Sequence, residues 1–161
     1  ILNDIRTLEW DGRRRQLILV DQRVIPSRLS YVRCRTHREV ADAIREMVVR
    51  GAPAIGVTAA FGMALAALNS RATTRGKLLE DLAKAKKELA STRPTAVNLF
   101  WALERISKVA ETCEGDPDDI RDAVLKEALR MAEEDVKTNK TLGRLGATLI
   151  QDGDKVLTHC N

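Results

Sequence analysis

With 161 residues, 44% hydrophobic and 31% charged, the chain is long enough for one well-buried domain, or one domain and the opening of a second, and its composition excludes a disordered tail. The net charge of +4 suits an anionic ligand, but Lys and Arg form no run beyond Arg13-Arg14-Arg15, and two Trp, one Tyr and two Phe make a poor base-stacking platform, so no nucleic-acid partner is expected. Three cysteines, odd in number and without Cys-x-x-Cys spacing, exclude a disulfide framework and a zinc site and fit a reducing cytoplasm.

No secretory or organellar leader opens the sequence, and Ile1 in place of an initiator Met reads as an internal start. The first elements are β-prone: Arg6 to Trp10, the turn pair Asp11-Gly12, then Gln16-Leu17-Ile18-Leu19-Val20. They predict a hairpin whose solvated end carries the Arg triplet, with Asp21 to Pro26 leading out.

The period then becomes helical. Thr36 and Glu39 form a capping box, and Val40, Ile44, Met47 and Val48 share one face of a helix that should end near Val49, at Arg50-Gly51-Ala52-Pro53. Pro53 suits the first turn of the next helix. Its body, Ala54 to Leu68, is apolar all round. The apolar stretch from Ala52, interrupted by Thr58, is short of the ~20 residues of a membrane span. It is read as a buried central helix, with no membrane association expected.

A third helix over about Lys77–Ala90 carries Leu78, Leu82, Ala85 and Leu89 inward, and Arg93-Pro94-Thr95 interrupts the chain after it. A fourth follows with Leu99, Leu103, Ile106 and Ala110 in register, closed by Gly115. Asp116-Pro117-Asp118-Asp119 caps a fifth, from Pro117 to about Val136, with Ile120, Val124, Ala128 and Met131 inward. Beyond it, Gly143 and Gly146 interrupt the Leu142, Leu145, Leu149 pattern of a shorter helix, where their cost of roughly 1 kcal/mol each relative to Ala predicts close packing. Lys155 to Asn161 reads as a buried strand without a partner, which implies that more chain follows.

Three stretches carry possible chemistry. Arg50-Gly51-Ala52-Pro53 places a cation and a glycine turn before a helix N-terminus, where free N–H groups and the helix dipole favour an anion such as phosphate. A plain helix–helix turn with a solvated Arg accounts for the same residues. Arg93 stands between a helix end and a helix start, either as a second cation for the same anion or as a cap on the preceding carbonyls. Cys160 ends the last strand, the edge where α/β sheets bind ligands, although an inert buried thiol fits as well; His159 must point to the other face.

Taken together, Val49 to Val57, Thr92 to Leu99 and Leu157 to Asn161 closely resemble the methylthioribose-1-phosphate isomerase family, as do Ile5 to Trp10 and Leu19 to Arg23. The resemblance runs along essentially the whole chain. It extends to regulatory α, β and δ subunits of the exchange factor for eukaryotic initiation factor two and to archaeal ribose-1,5-bisphosphate isomerase. It implies an α+β N-terminal domain over residues 1–152, mainly helical (36–151) with an N-terminal hairpin or small sheet (5–25), leading into a truncated α/β Rossmann-like C-terminal domain of which residues 153–161 are the first strand.

The resemblance further implies a cytoplasmic aldose–ketose isomerase of methionine salvage acting on a phosphorylated pentose, homodimeric at full length, without cofactor or metal. By position, Arg50, Gly51, Ala52 and Arg93 bind substrate, and Cys160 is catalytic. The family's aspartate falls beyond Asn161, so the fragment by itself is expected to be inactive. Ribose-1,5-bisphosphate isomerase and a non-catalytic regulatory subunit remain the alternatives.

Overall fold

The computed structural model describes residues 5–158. Strands β1 (Leu8–Asp11), β2 (Gln16–Val20) and β3 (Tyr31–Cys34) form an antiparallel sheet in that order. The hairpin forms as predicted: Asp11 pairs with Gln16, and the Arg triplet sits in the exposed loop between them. The loop is shaped by the Asp11 carboxylate, which accepts from the N–H groups of Arg13 and Arg14 at 3.1 Å each. The third strand is new, because Tyr31-Val32-Arg33-Cys34 mixes exposed and buried positions and has no local turn partner. Pairing with β2 forms it, with Leu17 opposite Cys34.

Among the described residues five helices follow: α1 (His37–Arg45), α2 (Ala52–Asn69), α3 (Arg75–Ala90), α4 (Val97–Thr112) and α5 (Pro117–Ala147). The architecture is therefore mixed α and β, mainly helical, as read from the sequence. Every residue of α2 from Ile55 to Ala67 is buried. This places α2 at the centre of the bundle, with all four other helices packed on it. The sheet joins the same core where Trp10 stacks on Phe61 of α2, with ring centroids 5.5 Å apart.

Several expectations are corrected. The Thr36–Glu39 capping box is present, but α1 ends at Arg45 rather than near Val49. Met47 leaves the helix with φ of +58° and is 49% exposed, while Val48 and Val49 turn back into the core. The fifth helix does not stop near Val136. It runs unbroken to Ala147, because no Gly or Pro lies between Val136 and Leu142 to break it and Asn139 bonds back to the Asp135 carbonyl.

Gly143 and Gly146 mark no close packing, since an added Cβ at either would meet nothing within 4 Å. The strand read over 155–161 is not formed in its described part: residues 155–158 have no regular structure, and Leu157 is 97% exposed. A strand without a ladder partner has no backbone hydrogen bonds to hold it.

Candidate functional site

Helix N-termini leave backbone N–H groups unsatisfied, and most helices cover them with a side chain. Three of the five helices here do so. Thr36 caps α1, Thr74 caps α3, and Asp116 caps α5 with a reciprocal bond from Asp119. The N-termini of α2 and α4 have no side-chain cap hydrogen bond. These are the two helices entered from the stretches singled out in the sequence.

At α2 the N-cap is Gly51, with φ of +92°, a conformation that disfavours any residue bearing a Cβ. Its carbonyl accepts the first intrahelical bond from Ile55 N–H at 3.0 Å. Ala52 and Pro53 are exposed, and Pro53 contributes no N–H. Arg50, directly before the cap, is exposed. At α4, Thr92 closes the preceding helix by donating to the Leu89 carbonyl at 2.6 Å, and the Arg93 carbonyl accepts from Ala96 N–H at 3.0 Å. Arg93 is half-buried within this turn. Neither Arg50 nor Arg93 has an acidic partner among the described residues, whereas Arg23, Arg105 and Arg121 are each paired with a carboxylate.

Packing brings the two ends together. An added Cβ on Gly56, in the second turn of α2, would lie 2.8 Å from the Asn98 carbonyl in the first turn of α4. Because Gly56 has no side chain, the helices approach to backbone contact and both uncapped ends open at one end of the bundle. Helix α5 runs toward that end: Arg121 near its start bonds to the carbonyls of Ala67, Ser70 and Ala72 at the far end of α2. Farther along, Arg105 of α4 reaches Glu127 and Glu134. The last buried residue of α5 is Met131, so at 1.5 Å per residue Ala147 projects roughly 24 Å past it.

Adjacent helix N-termini are favourable places for an anion, where backbone N–H groups and the helix dipoles can add to the charge of a nearby guanidinium. Of the residues expected from the sequence, the structure brings Arg50, Gly51, Ala52 and Arg93 to the same end. Cys160, the expected catalytic thiol, lies outside the described residues, as does His159. Cys34 is no substitute: it is fully buried, and burial, helped by Glu39 and Asp42, pushes its thiol up to about 12. Among the described residues no cluster of three His, Cys, Asp or Glu is placed to hold a metal.

Sequence reasoning missed the surroundings of Arg50. Thr7, Val20, Gln22 and Ile25 reach the same cavity as Arg50 from the hairpin and its exit. No periodicity marks such a loop, and its only signal is an isoleucine left exposed before a proline.

A bundle of helices packed on a small three-stranded antiparallel sheet, with two helix ends lacking side-chain caps, defines the class of this mixed α and β domain. The chain belongs to the initiation factor 2 subunit family, whose model matches residues 48–161. It is 51% identical over 157 residues to a methylthioribose-1-phosphate isomerase of Thermotoga neapolitana, covering 97% of this chain and 44% of that protein.

Two solved structures share the fold. The 5-methylthioribose 1-phosphate isomerase of Pyrococcus horikoshii OT3 superposes with a TM-score of 0.88 at 42% identity, over 94% of this chain and 42% of that one. The translation initiation factor eIF-2B subunit delta of A. fulgidus superposes with a TM-score of 0.87 at 44% identity, over 98% and 45%. The chain thus spans less than half the length of the relatives it matches.

Proposed function

We propose that the full-length protein containing this chain converts 5-methylthioribose 1-phosphate, an aldose derivative, into the ketose 5-methylthioribulose 1-phosphate. The observation that carries this reading is the meeting of two uncapped helix N-termini, each preceded by an arginine without an acidic partner among the described residues. The relatives named for this activity match nearly all of the chain. In this reading Arg50, Arg93 and the N–H groups at Gly51 and Ala52 hold the substrate phosphate.

The chemistry dictates what else is needed. With phosphate on the anomeric oxygen, the ring cannot open freely to an aldehyde, so an acid must protonate the ring oxygen while hydrogen moves from C2 to C1. Cys160 and an aspartate from the remainder of the protein are the assigned pair, in a Rossmann-like domain that begins near residue 153. The anion site orients the sugar so that both act on the correct carbons. The enzyme is proposed to be cytoplasmic and homodimeric and to work without metal or nicotinamide.

The test is an isomerisation assay on the full-length protein. Turnover of methylthioribose 1-phosphate, lost in Cys160→Ala with sugar-phosphate binding retained, supports the reading. Near-normal turnover in that variant removes Cys160 from the mechanism. A second reading, a regulatory subunit that keeps the fold without catalysis, is favoured by the likeness to the A. fulgidus factor. It predicts a wild-type protein with no turnover of any phosphopentose.

A further inference from the structure

Helix α1 ends in a turn that ordinarily calls for glycine. Met47 N–H donates to the Ile44 carbonyl at 3.2 Å and Val48 N–H to the Ala43 carbonyl at 2.9 Å, the paired bonds of a Schellman closure, in which the residue after the C-cap is left-handed. That residue is Met47, with φ of +58°. A Cβ is disfavoured there, and glycine is the usual occupant because it has none. Among the described residues the one other non-glycine with positive φ is Arg15, in the exposed hairpin loop.

The side chain of Met47 gains no core contact in return. It is 49% exposed and stands outside the hydrophobic core, whereas Ile44 before it and Val48 and Val49 after it belong to that core. A residue that breaks a local rule without a compensating gain in packing marks a functional position. Its place in the chain indicates which function. Met47 lies three residues before Arg50, and the turn between them is anchored by the buried Val48 and Val49 and by Gln22 N–H, which donates to the Val48 carbonyl at 3.0 Å.

The turn itself is open. Arg50, Ala52 and Pro53 are exposed, while acid–base chemistry on a phosphosugar works in a cleft from which water is excluded. More than half the length of the relatives lies outside the part this chain matches. An unbranched, polarisable thioether adapts to a surface that approaches and withdraws. We propose that Met47 is a positioning residue: its side chain is the apolar contact on which the remainder of the full-length protein seats as it closes over a phosphosugar held at Arg50. The strained turn persists because glycine at this position would remove the contact. This rests on the phosphosugar isomerase reading above and adds to it a residue that assembles the site.

The experiment measures three quantities in the full-length protein: kcat/KM for methylthioribose 1-phosphate, the inhibition constant of inorganic phosphate, and the urea midpoint. It compares wild type with Met47→Gly, Met47→Ala and Met47→Leu. Met47→Gly relieves the backbone and removes the side chain, so its urea midpoint should rise while kcat/KM falls by roughly 10-fold. Met47→Ala keeps the strained backbone and should lose as much activity without the gain in stability. Met47→Leu keeps the apolar bulk and should stay within twofold of wild type. The inhibition constant of inorganic phosphate should be unchanged in all three, because Arg50 is not displaced.

A Met47→Gly variant that is more stable with kcat/KM within twofold of wild type overturns the proposal, since the turn then merely tolerates Met47. Weakened inhibition by phosphate in the Gly and Ala variants overturns it too, because the loss then comes from a moved Arg50, and so does an equal loss of activity in Met47→Leu. Each of these leaves the isomerase reading standing. A wild type inactive on every phosphopentose overturns the isomerase reading and this one with it.

Discussion

Gly56 of α2 sits against the Asn98 carbonyl of α4 so closely that a methyl group on it would come within 2.8 Å of that oxygen. The obstacle is backbone and cannot swing aside. Gly56→Ala should therefore push the two helices apart, and overpacking of about 1–3 kcal/mol should outweigh the ~1 kcal/mol gained in helix propensity. At Gly62 the nearest atoms, at 3.0–3.1 Å, are side-chain methyls of Val40 and Leu89, which can shift. Urea unfolding should rank Gly56→Ala as the less stable variant. If the two uncapped N-termini share one anion as proposed, Gly56→Ala in the full-length protein should also weaken sugar-phosphate binding.

Arg50 and Arg93 have no ion pair among the described residues to lose, so removing either should leave stability within about 0.5 kcal/mol of wild type. Hydrogen bonds to a charged group are worth ~1.5–3 kcal/mol, so Arg50→Ala and Arg93→Ala should each weaken sugar-phosphate binding by roughly 10- to 100-fold. Calorimetric titration of the full-length protein measures this. Unchanged affinity in both would rule out the anion site.

Arg105 holds a different kind of group. Its Nε donates to the buried Glu127 at 2.5 Å, its two terminal nitrogens reach Glu134 at 2.6 and 3.0 Å, and its guanidinium lies 5.4 Å from the Trp101 ring centroid. Arg105→Met leaves Glu127 inside the bundle with only Arg130 as partner. Breaking such a pair costs about 3 kcal/mol. The double variant Arg105→Met/Glu127→Leu should recover most of the loss in thermal unfolding, since it removes the stranded charge.

Asp21 gives the acid limb of stability. Its carboxylate accepts from the Arg23 side chain at 2.9 and 2.8 Å and from Arg23 N–H at 3.1 Å, and the side-chain bonds hold it below its ordinary range. A carboxylate with a lowered folded-state pKa contributes stability above its unfolded value of ~3.9, and that contribution is lost as pH falls through the folded value. Stability followed from pH 7 down to 2 should fall below about pH 4, and Asp21→Asn should flatten that fall.

Thiol labelling separates the two described cysteines. Cys34 is fully buried, with its thiol pushed up to about 12, and should resist alkylation in the native state; the partly exposed Cys113 should react first. Mass-resolved labelling at pH 8 reads both rates.

The helices were legible because their signals are local. The Thr36–Glu39 box, the Asp116-Pro117 start and the unbroken apolar run after Pro53 each satisfy or bury groups within a few residues of one another. The predicted break after Val136 failed because exposure of Leu142 and Leu145 is compatible with a helix that simply continues. β3 was illegible for a related reason: four residues of mixed exposure become a strand only when β2 supplies the ladder.

The sequence by itself determined the α+β class, the central helix and the residue types able to grip an anion, since capping, periodicity and charge act over one or two helical turns. Tertiary structure alone decided that the turns carrying Arg50 and Arg93 lie at the same end of the bundle, through the missing side chain of Gly56. It also decided that Ile5 and Ile25 stand beside Arg50, through the Gln22–Val48 hydrogen bond. Both relationships join residues far apart in the chain, and only the packing of the bundle specifies such distances.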